Sequence, residues 1–176
     1  MARILILYST TDGHTPRICA RLQAVLEAHE HRVTVAPIGN AERLALADHD
    51  KIVLGASIRY GHHQPEVFDF IERHLDLLNA RPNAFFTVNI VARKPEKCEP
   101  ASNPYLLKFL RKIKWQPKLL GVFAGKLDYP RYRFFDRQMI RFIMLMTKGP
   151  TDPSTVVEFT DWNKVESFGA ALSRLE

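Results

Sequence analysis

Ile4, Leu5, Ile6 and Leu7 form an unbroken apolar run that stops at STTDGHT, a loop of hydroxyls, one acid and one glycine. A strand without polar alternation has both faces covered, the condition of a central strand in a parallel sheet flanked by helices. Pro16 suits the first turn of a following helix, where its missing N–H has no partner to lose, and Thr15 can cap that turn. A loop of Ser9, Thr10, Thr11, Asp12, Gly13, His14 and Thr15 that feeds a helix offers free amides and the positive end of the helix dipole, so an anion is favoured there. No Lys or Arg lies between Ser9 and Thr15, which excludes the Walker loop; the three spaced glycines of a dinucleotide fingerprint are missing too. Two readings stand: a phosphate monoester held by neutral dipoles, or an ordinary strand-to-helix turn whose polar residues only cap and bend the chain.

Further apolar runs at Arg32 to Pro37, Lys51 to Ala56, Ala84 to Val91 and Leu119 to Ala124 bring the strand count to five. Between them, residues recur at helical spacing: Ile18, Leu22, Val25 and Leu26; Val67, Phe68, Ile71, Leu75 and Leu78; Leu106, Phe109, Leu110 and Ile113. A closing helix repeats the rhythm at Trp162, Val165, Phe168, Leu172 and Leu175. Strands alternating with amphipathic helices predict an α/β, doubly wound five-stranded parallel sheet with helices on both faces. With 176 residues, one domain spanning 1–176 is expected.

In such a sheet, ligands bind beyond the carboxyl ends of the strands, where strand order reverses. That selects the first loop, the segment Ala56 to His63 and the segment Asn89 to Lys97. Tyr60 beside Gly61 is either a stacking platform or a turn residue. His62 and His63 are adjacent and lack a carboxylate or Cys cluster, so no metal site is expected; either could relay a proton. Cys19 and Cys98 form neither a disulfide framework nor a metal spacing and read as reduced thiols. No apolar run approaches the roughly 20 residues that span a bilayer, and the N-terminus leads straight into a strand, so a cytoplasmic protein is expected.

The segment TTDGHT is similar to the FMN phosphate loop of flavodoxins, with Asp12 where Thr is common. GASIRYGHH at 55–63, VNIVARKPEK at 88–97, YPRYR at 129–133 and TDW at 160–162 together resemble the quinone-dependent protoporphyrinogen IX dehydrogenases of bacterial haem synthesis, over nearly the whole chain. The resemblance implies a flavodoxin-like fold and FMN, with the phosphate on residues 9–15. The flavin ring would lie between Ser57, Ile58, Arg59, Tyr60 and Gly61 on one side and Asn89, Ile90, Val91, Ala92 and Arg93 on the other. It further implies oxidation of protoporphyrinogen IX with electrons passed to menaquinone or ubiquinone, the flavin carrying the redox step and Arg59, His62 and His63 being the side chains to consider beside it. Substrate propionates need cations, and Lys94, Lys97, Arg131 and Arg133 are the candidates. Arg59, Arg93 and Lys94 near the ring would favour its reduced anion and raise its potential. A flavodoxin-type electron carrier, an NAD(P)H:quinone reductase and a non-redox adaptor are the alternatives.

Net charge is +6, yet the basicity is local: Arg93 to Lys148 holds 14 Lys and Arg against 4 Asp and Glu, and the remainder 11 against 15. No nucleic-acid motif accompanies this excess, so anionic lipid or a carboxylate-bearing substrate is expected. Tyr132 to Lys148 crowds apolar residues into one short helix with Arg133, Arg137, Arg141 and Lys148 on a single stripe. That pattern fits a helix lying in a membrane interface, on the inner face of the cell membrane, or else a core helix or a homo-oligomer contact. The stretch 129–153 reads as a basic amphipathic insertion after the fifth strand.

Overall fold

The computed structural model describes residues 1–176. Strand β1 (Arg3–Ser9) carries Ile4 to Leu7, all fully buried, and leads into helix α1 (Thr15–Ala28). Then follow β2 (Arg32–Pro37), β3 (Lys51–Arg59), a two-residue β4 (His62–His63), α2 (Pro65–Arg73), α3 (Leu75–Asn79) and β5 (Asn83–Asn89). After these come α4 (Pro104–Leu110), β6 (Leu119–Ala124), β7 (Lys126–Asp128), α5 (Phe134–Met146), β8 (Val156–Glu158) and α6 (Trp162–Ser173). The five main strands are parallel in the order β2-β1-β3-β5-β6, the doubly wound arrangement expected.

Successive strand residues point to opposite faces, which divides the core in two. Leu5, Leu7, Ile52, Leu54 and Phe85 meet the α2 to α4 side through Val67, Ile71, Leu106 and Phe109. Ile4, Ile6, Val53 and Phe86 meet α1 and α6 through Ile18, Leu22, Phe168 and Leu172. Gly55 of β3 permits this packing, since a Cβ there would run into the ring of Phe86.

Several boundaries differ from the sequence reading. The fourth parallel strand ends at Asn89 instead of Val91, because the Asn89 side chain accepts from the Ala92 N–H and starts a 3-10 turn over Ile90–Arg93. The second helical run breaks at His74, and α4 stops at Leu110, leaving Ile113 outside it. Thr15 is the first helical residue and not the cap; His14 occupies the cap position without a side-chain bond. Ser57, Ile58 and Arg59, expected in a loop, prolong β3, which turns back through Tyr60 and Gly61 to pair with β4. Both turn residues have positive φ, 51° and 79°, the geometry that joins two strands through a two-residue hairpin.

Past β6, β7 and β8 form an antiparallel ribbon that holds the ends of the 129–153 stretch together. Leu127, Tyr129, Tyr132 and Met144 make a third, small core beneath α5. The basic stripe is split: Arg133 and Lys148, which flank α5, are exposed, whereas Arg137 and Arg141 are drawn inward. Arg137 donates to the Tyr132 carbonyl and Arg141 to the Thr151 carbonyl, because those carbonyls have no partner in a helix or ribbon. Apart from Gln138, what α5 exposes is apolar: Phe134, Phe135, Met139, Phe142, Leu145 and Met146, with Phe135 84% exposed. The local basic excess of Arg93 to Lys148 is divided in space, since Arg111 to Lys118 precede β6 and lie at the opposite end of the sheet from α5.

Candidate active site

β1 connects outward to β2 and β3 connects outward to β5, so the strand order reverses between β1 and β3, and a crevice opens past their carboxyl ends. Two adjoining cavities lie there, and Asp12, Lys126 and Tyr132 line both.

The first, about 510 Å³, is walled by Thr10 to His14. The loop is shaped by its own polar groups: the Gly13 N–H donates to Thr10 Oγ1 at 3.0 Å and the Thr11 N–H to Ser57 Oγ at 3.2 Å. Gln64 staples it to the hairpin, donating from Nε2 to the Thr10 carbonyl and to Thr11 Oγ1 while its Oε1 accepts from Ser9 Oγ at 2.5 Å. Ser9 and Ser57 therefore position the loop. Thr160 donates its hydroxyl proton to the Ala124 carbonyl at 2.8 Å, so His14 Nε2, 2.6 Å away, must be the donor to Thr160 Oγ1. Burial lowers the His14 pKa from its ordinary value and favours this neutral tautomer. His14 Nδ1 and Thr15 Oγ1 are buried without any partner, at the N-terminus of a 14-residue helix. In this tautomer Nδ1 is an acceptor, so it is the unpartnered Thr15 hydroxyl at the positive end of the helix that fits an anionic oxygen group.

The second cavity, about 100 Å³, lies between Ile58 to Gly61 of the hairpin and Asn89, Ile90, Val91 and Arg93 of the 3-10 turn. Its roof is Ile140, Ile143 and Met144 of α5. Arg59 pairs with Asp12 and lies 5.7 Å and 5.5 Å from the ring centres of Tyr60 and Tyr132. Burial raises the Asp12 pKa, and the Arg59 guanidinium opposes that shift. Tyr60 donates its hydroxyl to Asp136 of α5, which raises the phenol's pKa. Arg93 holds the end of α5 through Thr147, donating at 3.0 Å to its carbonyl and 3.1 Å to its hydroxyl.

The structure thus gathers Thr10, Thr11, Asp12, Gly13 and His14 at one end, and Ile58, Arg59, Tyr60, Gly61, Asn89, Ile90, Val91 and Arg93 at the other. Ala92 is turned away into a neighbouring cavity beside Cys98 and Lys164. Lys94, Lys97 and Arg133, proposed from sequence for the propionates, line neither cavity, because the 3-10 turn carries the chain off after Arg93 and Arg133 flanks α5 in solvent. Arg131 lines the first cavity and not the second. His62 is exposed and lines neither. His63 is a core residue, packed on Phe85 and Phe109 and bonded through Nε2 to Thr87 Oγ1 at 2.9 Å; burial lowers its pKa to about 3 and keeps it neutral. Of the three cations expected around the ring, Arg59 is matched by Asp12 and Lys94 is absent from the pocket, leaving Arg93. Gln64, Lys126, Tyr132, Met144 and Thr160 were missed. Gln64 precedes Pro65 and Thr160 precedes Asp161, so both read as helix-entry residues, and their reach to the loop is visible only in three dimensions.

A polar end with an unpartnered hydroxyl beside it, joined to a pocket lined largely by apolar residues, fits a flavin mononucleotide. A flavodoxin domain profile matches residues 5–154. The chain is 43% identical over 173 residues to protoporphyrinogen IX dehydrogenase [quinone] of Escherichia coli K12, covering 98% of this chain and 96% of that one. It is 44% identical over 174 residues to the protein of the same name from Leishmania major, covering 98% of this chain and 75% of the relative. The chain belongs to the quinone-dependent protoporphyrinogen IX dehydrogenase family. Oxidised flavodoxin 1 from Bacillus cereus superposes with a TM-score of 0.55 at 17% identity, over 97% of this chain and 96% of that one, which shows the shared fold. No helix is long and apolar enough to cross a membrane.

Proposed function

We propose that this protein oxidises protoporphyrinogen IX to protoporphyrin IX in haem biosynthesis, with FMN as its cofactor and a membrane quinone as electron acceptor. The observation that carries the reading is the pair of joined cavities, one polar and one apolar, at the β1/β3 reversal of a chain from this family. FMN supplies the two-electron chemistry when bound. Thr10, Thr11 and Gly13 of the cavity wall would hold its phosphate together with the unpartnered Thr15 hydroxyl at the helix start, and Ile58 to Gly61 with Asn89 to Val91 would flank its ring. Ile140, Ile143 and Met144 exclude water from the ring side, and Arg93 ties the end of that roof to the 3-10 turn. Anaerobic mixing with protoporphyrinogen IX should bleach the bound flavin, and a menaquinone or ubiquinone analogue should restore its colour. A bound flavin that stays oxidised would overturn the assignment and favour a carrier or a nicotinamide-dependent reductase.

The stretch 129–153, an addition to a domain otherwise spanning 1–176 in this reading, would bring the enzyme to its acceptor. The outer face of α5 would rest in the interfacial layer of the membrane, peripherally, with exposed Arg133 and Lys148 toward anionic headgroups. Burying one such Phe is worth roughly 1.5–3 kcal/mol, enough for about a tenfold or greater change in partitioning per residue. Vesicles containing phosphatidylglycerol should bind the protein, and replacing Phe135 and Phe142 by Ser should release it. Loss of a dimer on the same replacement, without any vesicle binding, would instead make α5 a homo-oligomer contact.

A further inference from the structure

We infer that Arg131 is the counter-charge for the phosphate of FMN, a cation that the phosphate loop itself lacks and that the turn after β7 delivers. The inference rests on the FMN reading above. Between Ser9 and Thr15 the chain has no Lys or Arg, so the loop offers only amides and hydroxyls to a group that carries about −1.5 to −2 charges near neutral pH. Three cations outside the loop line the cavity: Arg17, Lys126 and Arg131. Two are already matched. Arg17 pairs with Glu158 at 2.8 Å, and Lys126 with Asp128 at 2.9 Å. On the loop, the Asp12 carboxylate is likewise matched by Arg59. Arg131 has no ion pair and no hydrogen bond, so the uncompensated positive charge of the cavity resides on it.

The backbone that carries Arg131 is fixed. It ends a 3-10 turn, Tyr129–Arg131, whose first residue is fully buried. The Tyr129 N–H donates to the Thr155 carbonyl at 3.2 Å and its hydroxyl to the Pro150 carbonyl at 2.7 Å. Tyr132, next in the chain, is also buried and accepts from the Asp128 N–H at its hydroxyl at 3.1 Å. Arg131 is therefore carried on backbone held at the base of the 129–153 stretch, beside the ribbon and not on α5, with its guanidinium free. At the head of α1 the Thr15 hydroxyl is buried without a partner, a donor left unused until an anionic oxygen group enters. A guanidinium matches phosphate oxygens through two parallel N–H groups, which discriminates a phosphorylated flavin from its unphosphorylated parent.

A substrate propionate shares this chemistry, and flavin affinity separates the two sources. The full chain, stripped of flavin, is titrated with FMN and with riboflavin by fluorescence quenching at low and high salt. Arg131→Gln should weaken FMN binding about tenfold at low salt, with the effect shrinking at high salt, and leave riboflavin unchanged. Arg131→Lys should recover part of the loss, and Arg133→Gln, outside both cavities, should change nothing. Equal weakening of both flavins would make Arg131 a structural residue and overturn the inference. Unchanged FMN affinity with a raised KM for protoporphyrinogen would assign the charge to a propionate and overturn it too. If the wild-type chain binds neither flavin, the FMN reading falls together with this one.

Discussion

The phosphate end of the site takes one continuous wall from the loop Ser9 to Thr15, whereas the ring end takes its walls from Ile58, Asn89 and Met144, far apart in the chain. The first is a backbone device. Its amides and hydroxyls are aimed by a strand that cannot move and by a helix packed on the sheet, with Gln64 as the main outside staple. The second is an assembly whose roof, α5, is attached through one small core, the Tyr60 contact with Asp136 and the Arg93 contact with Thr147. Such a roof rests on the smallest of the three cores, and local opening there costs less than opening the sheet. The contrast suits a site that must keep its cofactor and exchange its substrates.

Four experiments would break or sharpen that contrast. Met144→Ala, which empties the centre of the small core, should cost roughly 2–5 kcal/mol of local stability and expose α5 to protease, while FMN affinity changes little. Equal loss of flavin would mean that the two ends are one unit. The pH dependence of stability probes the hairpin side. His63 has a folded pKa of about 3 against 6.5 unfolded, so the unfolded chain binds the extra proton between those values. Stability contributed by neutral His63 is present above pH 6.5 and is lost as pH falls toward 3, by up to about 1.4 kcal/mol per pH unit. Denaturant midpoints across this range should flatten in His63→Gln.

Thr15→Val should separate function from stability. It should lower FMN affinity by about 10-fold, as a hydrogen bond to a charged group is lost, while leaving the melting temperature equal or higher because an orphaned buried hydroxyl is gone. The smallest effect is expected for Tyr60→Phe, which removes the contact between hairpin and roof at a solvent-exposed position. It should change stability by less than about 1 kcal/mol and register mainly as faster hydrogen exchange in α5.

Legibility in the sequence followed the same division. The apolar run Ile4 to Leu7, the strand and helix rhythms and the hydroxyl-rich loop all express contacts between residues a few places apart, and these led to the fold and to the phosphate end. The hairpin was half legible: Tyr60 and Gly61 read as a turn, but Ser57 to Arg59 read as loop because pairing with His62 and His63 is not a propensity of the segment alone. The charges misled most. Arg137 and Arg141 looked like an outward stripe, yet carbonyls from the Tyr132 and Thr151 region claimed them. His63 read as a proton carrier, and the space between Phe85 and Phe109 made it a neutral core residue.

The sequence by itself determined the parallel α/β sheet, the crevice at the end of β1 and β3 and the absence of a cation from the phosphate loop, because hydrophobic periodicity and backbone capping act over a few residues. Tertiary structure alone decided that Asp12 neutralises Arg59, that α5 presents its apolar side to the outside while roofing the ring pocket, and that Arg131 stands beside the phosphate loop. A side chain's charge is fixed by its identity, but whether that charge is free or matched depends on which distant groups the fold brings within reach.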